Sequence, residues 1–176
     1  MASAHVLPNR FARWITREPD WDAVFSEELP RVYNFFRYRF GDVPDVEDLT
    51  SRTFEKAWRA RDRYRRDLAG FSTWLVSIAR NVAVDHVRAR RTYLPIEAAD
   101  PVASTARTPE EAAIHNSEAD RLASLLATLP DRERELLALK YGAGLTNRAI
   151  ARATGLTESN IGTILHRAVT ALRGHW

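Results

Sequence analysis

Cysteine is absent from the 176 residues, which excludes a disulfide framework, a thiolate metal site and a cysteine nucleophile, and fits a reducing cytoplasm. Long apolar runs are absent too. No stretch approaches the length of a membrane span, and the segment from Met1 to Pro19 carries Arg10, Arg13 and Arg17 without the continuous apolar core of a signal peptide. The chain is expected in the cytoplasm. Period-two alternation of apolar and polar residues appears nowhere, so strands are not expected. The five histidines (His5, His86, His115, His166 and His175) are scattered without ligand spacing, no glycine-rich phosphate loop occurs, and no Ser/His/Asp arrangement can be assembled. Asp85 and His86 are adjacent, but neighbours on a helix point about 100° apart. A non-catalytic protein without metal or cofactor is the expectation.

Apolar and basic residues, by contrast, are plentiful. A hydrophobic share of 45% against 28% charged residues is enough for packed cores and too apolar for wholesale disorder. The formal charge of +3 hides an uneven division: residues 1–51 sum to −3, 52–91 to +7, 93–120 to −5 and 121–176 to +4. Two basic blocks flank an acidic one, which points to a polyanionic partner.

Helical periodicity organises the rest. Trp21, Val24, Phe25, Leu29, Val32, Tyr33, Phe36 and Phe40 recur at helical spacing before Gly41, predicting one helix kinked at Pro30 or two short helices meeting there. Val46, Leu49, Thr53, Phe54, Ala57 and Trp58 form a second stripe, with Pro44 and Asp45 suited to its first turn. A third helix fits Ser72 to about Arg91, with Leu75, Ile78, Val82 and His86 on one face, after a charged loop from Arg61 to Gly70. Residues 93–107 hold Pro95 and Pro101 among small and acidic residues and read as a linker. Thr108-Pro109-Glu110-Glu111 supplies a capping threonine, a first-turn proline and a capping-box glutamate for a helix to about Thr128. Pro130 opens another helix through Leu136, Leu137 and Tyr141, ended by Gly142 and Gly144. Two more, Thr146–Thr154 and Glu158–Arg173, are joined by Gly155-Leu156-Thr157. The fold class is all-α, in two small helical domains.

The last pair has the helix-turn-helix layout: small Ala151 where the helices cross, Gly155 in the turn, and apolar Ile161 pinning the second helix. In the third helix, Asn81, Asp85 and Arg88 stand at i, i+4, i+7 on one face, and Arg80, Arg88, Arg90 and Arg91 offer phosphate partners. Asp85 and Arg88 taken alone fit a solvated ion pair, and Trp74 taken alone fits a core residue; as a set they fit a nucleic-acid surface.

Three stretches resemble the extracytoplasmic-function group of the sigma-70 family of bacterial sigma factors, over about Trp21 to Arg173. They are Asp45-Val-Glu-Asp-Leu49 with Phe54 and Ala57-Trp58; Phe71 to Arg91; and Leu129-Pro130 through Arg173, including His166-Arg167-Ala168. The resemblance implies an N-terminal extension (1–18), region 2 (19–92), an acidic linker (93–111) and region 4 (112–176). It implies that Glu47, Asp48, Leu49, Arg52 and Phe54 bind core RNA polymerase, with a core role as the alternative for Phe54. It assigns Tyr64, Phe71, Trp74, Ser77, Arg80, Asn81, Arg88 and Arg91 to the promoter's -10 element. Arg148, Thr157, Ser159, Asn160, Thr163, His166 and Arg167 fall to the -35 element, with Arg152 and Arg173 as further backbone contacts. The implied partners are promoter DNA and core polymerase, through its β′ clamp helices and β flap; an anti-sigma factor is a further partner the resemblance allows, and the free chain is expected to be a monomer. Two departures stand out. Ser51-Arg52 replaces the family's usual Gln-Glu, exchanging an acid for a base at the polymerase contact, and Gly162-Thr163-Ile164 replaces Lys-Ser-Arg, removing two DNA-facing cations. An autonomous helix-turn-helix regulator acting as a dimer is the alternative function, and a protein-binding adaptor a third. The aromatic and basic stretch Tyr64 to Arg91 discriminates them, since a duplex reader does not need it and a strand-opening protein does.

Overall fold

The computed structural model describes residues 21–41, 44–93 and 118–175. Among them are seven α-helices and no strand: α1 (Trp21–Phe40), α2 (Asp45–Arg59), α3 (Phe71–Tyr93), α4 (Glu118–Ala127), α5 (Asp131–Leu137), α6 (Asn147–Thr154) and α7 (Glu158–His175). The linker at 93–107 and the capping box at Thr108–Glu111 lie outside the described residues, Tyr93 excepted, whose backbone closes α3.

α1 runs unbroken through Pro30. The proline is exposed, and so is Ser26, whose carbonyl loses its helical donor to the proline ring and can turn to water instead. Gly41 stops the helix at φ 83°, with its N–H donating to the Arg37 carbonyl at 2.8 Å; only glycine takes that conformation without strain. α2 follows with Asp45, Glu47 and Asp48 in its first turn and Lys56 and Arg59 in its last, the charge order a helix dipole favours. Thr50 and Thr53 are buried on its inner face, and their hydroxyls donate to the carbonyls of Val46 and Leu49 at 2.7 and 2.8 Å. A 3₁₀ turn at Arg61–Arg63 opens the loop to α3.

α5 continues into a π turn, Ala138–Gly142. The sequence pattern reads Gly142 as a helix stop, but its work is different: a Cβ built there would stand 2.8 Å from the Asn34 carbonyl oxygen and 3.0 Å from the Phe35 Cα. The missing side chain lets the π turn lie backbone-to-backbone on α1. In the helix-turn-helix, the Thr146 hydroxyl caps α6 by accepting from the Ala149 N–H at 3.2 Å, and Gly155 makes the turn at φ 75°. Ile161 is fully buried.

The two halves share one core. α1 lies at its centre, touching α2, α3, α4, α5 and the π turn; its inward residues Val32, Phe35 and Phe36 are fully buried, as are Leu139 and Ile150 of the second half. Each such large side chain contributes about 1.5–3 kcal/mol through burial. Two arginines cross the seam between the halves. Arg39 of α1 donates to the Asp131 carbonyl at 2.6 Å and to its carboxylate at 2.7 Å. Arg80 of α3 donates through Nε to Glu135 Oε1 at 2.7 Å and through Nη1 to the Ala153 carbonyl at 3.0 Å.

Candidate nucleic-acid interface

α2 presents the expected polymerase-facing residues on two sides. Glu47, Asp48 and Arg52 are exposed, and Asp48 pairs with Arg52 at 3.6 Å, one turn away. Leu49 and Phe54 point the other way: they are 1% and 9% exposed, so the sequence expectation that they touch a partner is corrected to a core role. The reason is periodicity, since both share the buried stripe of Val46, Thr53 and Ala57.

At the start of α3 the aromatic residues gather. Trp74 lies 5.1 Å from Tyr64 and 5.3 Å from Phe71 between ring centroids, and Tyr64 lies 5.3 Å edge-on to Phe71. Burial pushes the Tyr64 phenol above its ordinary pKa, and its hydroxyl donates to the Ala69 carbonyl at 3.3 Å. The three rings are half-buried, so each is at once packed and reachable. Arg65 and Asp67 lock the loop with two bonds at 3.0 and 2.8 Å.

Farther along α3, Asn81, Asp85 and Arg88 all reach solvent. Asp85 takes its cation from the neighbouring helix: Lys56 Nζ donates to its carboxylate at 3.1 Å. Ser77 donates inward to the Trp74 carbonyl at 2.6 Å. Arg80 is committed to the second half of the chain, as described above. The side chain of Arg91 lies outside the described residues.

In the helix-turn-helix, Ser159, Asn160, Thr163 and Arg167 occupy one exposed face of α7, with His166 beside them. The Thr157 hydroxyl accepts from the Asn160 N–H at 3.2 Å, which uses one of the backbone donors at the start of α7. Thr163 donates to the Ser159 carbonyl at 3.1 Å. Arg148, Arg152 and Arg173 are exposed. On the next flank of α7 a shallow groove of about 310 Å³ has Leu165 and Val169 as its floor and Lys140, Tyr141, His166 and Arg173 around it.

Sequence reasoning missed the second layer of aromatics. Trp58, read as part of an inward stripe, is 49% exposed; it stands edge-on to Trp21 at 5.1 Å under the Arg61 guanidinium at 4.5 Å. It also missed Arg39, whose spacing from Phe35 and Phe36 places it on the apolar stripe and could have marked it as a buried, paired cation. Among the described residues no three His, Cys, Asp or Glu side chains converge, and no helix is long and apolar enough to cross a membrane.

Among the described residues the fold is all-helical, with a helix-turn-helix formed by α6 and α7. The profile of sigma-70 region 2 matches residues 24–93, and that of sigma-70 region 4 matches residues 119–172. The ECF RNA polymerase sigma factor BldN of Streptomyces coelicolor is 32% identical over 151 residues, 85% of this chain and 57% of that protein. SigL of Mycobacterium tuberculosis, of the same description, is 28% identical over 86% of this chain and 85% of its own length. Among solved structures, the sigma factor RpoE in complex with the anti-sigma factor NepR from Bartonella quintana superposes with a TM-score of 0.67 at 21% identity, covering 88% of this chain and 95% of that one. The chain belongs to the extracytoplasmic-function group of the sigma-70 family of RNA polymerase sigma factors.

Proposed function

We propose that the chain binds core RNA polymerase in the cytoplasm, directs it to promoters and helps to open the duplex there, with the chemistry of RNA synthesis left to the polymerase. The observation that carries this reading is the half-buried aromatic set Tyr64, Phe71 and Trp74 at the start of the basic helix α3, which carries exposed Asn81 two turns farther on. An unpaired base costs a few kcal/mol to extract, and a site that stacks it and hydrogen-bonds its edge recovers that cost. Trp74 stacks at the edge of the opened strand, Asn81 meets a base edge, and Arg88 and Arg91 meet phosphates. An autonomous duplex reader has no use for such a set.

Polymerase contact falls to the exposed side of α2, Glu47, Asp48 and Arg52. In region 4, Asn160 and Thr163 face base edges of the -35 duplex, while Arg148, Arg152 and Arg167 and the helix-start N–H groups of Glu158 and Ser159 hold phosphate. The groove beside α7, apolar at its floor and cationic at its rim, receives an apolar anchor from the β flap. The acidic linker around Glu97 and Asp100 threads the polymerase. Capture of core polymerase by the full chain, followed by promoter-dependent transcription in vitro, tests the assignment. Specific initiation is the expected result, and duplex binding without polymerase capture would replace it with the autonomous regulator.

A further inference from the structure

Glu28 sits on the buried side of α1, 4% exposed, and is none of the residues assigned to polymerase or DNA. A carboxylate costs free energy to bury unless its oxygens find partners. One oxygen has its partner on another helix: Ser72, the second residue of α3, donates its hydroxyl to Oε1 at 2.5 Å. The other, Oε2, is buried without a hydrogen bond and lies 3.8 Å from Nε of part-exposed Arg31, one turn along α1. By stability alone an apolar residue of similar volume would serve as well or better there. What an apolar residue could not do is tie one turn of α1 to one turn of α3.

The same face of α1 makes a second contact with the same end of α3. Trp21 stands seven residues before Glu28, two helical turns away and so on the same side, and its ring lies edge-on to Phe71 at 5.8 Å. α1 therefore holds the first two residues of α3, Phe71 and Ser72, from one face. Phe71 in turn lies 5.3 Å from both Tyr64 and Trp74. The loop that leads into α3 supplies little of this hold. Its side-chain bonds run within the loop, Arg65 to Asp67 and Tyr64 to Ala69, Leu68 is 67% exposed, and a Cβ built at Gly70 would meet nothing within 4 Å. α3 also packs on α2, which keeps the helix in the fold when the bond to Glu28 is cut.

We propose that Glu28 is a positioning residue for duplex opening: through Ser72, and with Trp21 against Phe71, it fixes the first turn of α3 so that the aromatic set is in place before an unpaired base arrives. Ordering a loose stacking surface at the moment of capture would subtract from the free energy that stacking returns. Glu28 itself is buried and touches no nucleic acid. The proposal rests on the assignment of Tyr64, Phe71 and Trp74 to the opened strand.

The test uses the full chain with core polymerase. Glu28→Leu removes the acceptor, Glu28→Gln keeps an oxygen for the Ser72 hydroxyl, and Ser72→Ala cuts the same bond from the other side. Glu28→Leu is expected to capture polymerase as the parent chain does and to keep its urea midpoint. It should lose about tenfold in opening of a fully paired promoter, the worth of one hydrogen bond to a charged group. Glu28→Gln should retain most of the opening, and Glu28→Leu with Ser72→Ala should open no worse than Glu28→Leu alone. In chains labelled with fluorotryptophan, the Trp74 resonance, identified by its loss in Trp74→Phe, should move in Glu28→Leu and return in Glu28→Gln. Should Glu28→Leu not fold, Ser72→Ala carries the test with the same loss of opening and the same shift expected. Unchanged opening overturns the proposal, and so does an unmoved Trp74 resonance, a Gln variant as defective as Leu, a double variant worse than Glu28→Leu, or a fallen urea midpoint that accounts for the loss. Trp74→Ala in the same assay separates the two readings. If it opens the paired promoter normally, the strand assignment falls and the positioning role with it; if it fails to open while Glu28→Leu and Ser72→Ala open normally, only the positioning role falls.

Discussion

The two halves of the molecule are made from different chemistry. Residues 21–93 contain thirteen aromatic side chains, and residues 118–175 contain only Tyr141. Region 2 uses this material twice: Phe35 and Phe36 fill the core, while Tyr64, Phe71 and Trp74 form a half-open stack at the start of α3. Region 4 builds its core from leucine, isoleucine and alanine and presents an aromatic-free polar face on α7. Unpaired bases offer faces to stack on, whereas a duplex offers only edges and phosphates. The division therefore suits single-stranded DNA for region 2 and duplex for region 4.

The contrast breaks most sharply at the seam. Phe35 is fully buried on α1, whose backbone carries the π turn of region 4. Phe35→Ala is expected to cost about 3–5 kcal/mol, as large-to-small changes in a packed core do. Because the core is shared, the loss should appear in both halves. Urea unfolding followed through the methyl resonances of Ile161 and Ile164 checks this, and an unchanged midpoint at α7 would show that the halves fold independently.

Next in size is the aromatic stack. Trp74→Ala and Asn81→Ala are expected to keep polymerase binding and to lose opening of a fully paired promoter. At about 1–3 kcal/mol per stacked base, the Trp74 effect corresponds to about 5- to 150-fold in the opening equilibrium. Supplying the -10 region already mismatched should restore part of the Trp74 loss. Equal deficits on paired and mismatched templates would make Trp74 a core residue, which its contacts with Phe71 and Tyr64 also allow.

Region 4 should answer differently. Arg167 is exposed on α7, beside a segment that lacks the family's usual cations. Arg167→Ala is expected to weaken duplex binding to a similar extent across sequences and to lower the slope of log affinity against log salt by about 0.9. Affinity measured at four salt concentrations on two unrelated duplexes checks it. A loss confined to one sequence would turn Arg167 into a base reader.

Local signals carried most of the fold. The helix starting at Asp45 and the turn at Gly155 follow from residue types whose conformational preferences act over a few positions, and the structure has both; the helix expected from Thr146 begins at Asn147, with Thr146 as its cap. What the sequence hid depends on contacts between distant segments. Gly142 reads as a stop because glycine often is one, and only the approach of Asn34 gives it its actual role. Arg80 reads as a DNA cation because its neighbours are cations, and Glu135, far along the chain, is invisible to any periodicity. Leu49 and Phe54 were legible as core by spacing; the resemblance drew them to the surface because the matched motif mixes contact residues with the buried residues that support them.

The smallest effect concerns acidity. His86 lies at the edge of the core with its ring 5.1 Å from Phe40, and its Nε2 is buried, 3.6 Å from the Asp45 carboxylate. Burial pulls its pKa below the ordinary 6.5; Asp45 and Asp48 oppose that shift, while Arg90 and Arg52 add to it. The unfolded chain therefore binds a proton that the folded chain resists, and where the unfolded state holds more protons, stability rises with pH. The contribution from His86 is complete above the ordinary histidine pKa. It declines as pH falls through 6.5 and levels off only below the depressed value in the folded state. His86→Phe keeps an aromatic ring against Phe40 and cannot be protonated. Urea midpoints at pH 7.5 and 5.5 should converge in the variant relative to the parent chain. An identical pH dependence in both would mean that Asp45 compensates the burial in full, and that the end of α3 is insensitive to pH in this range.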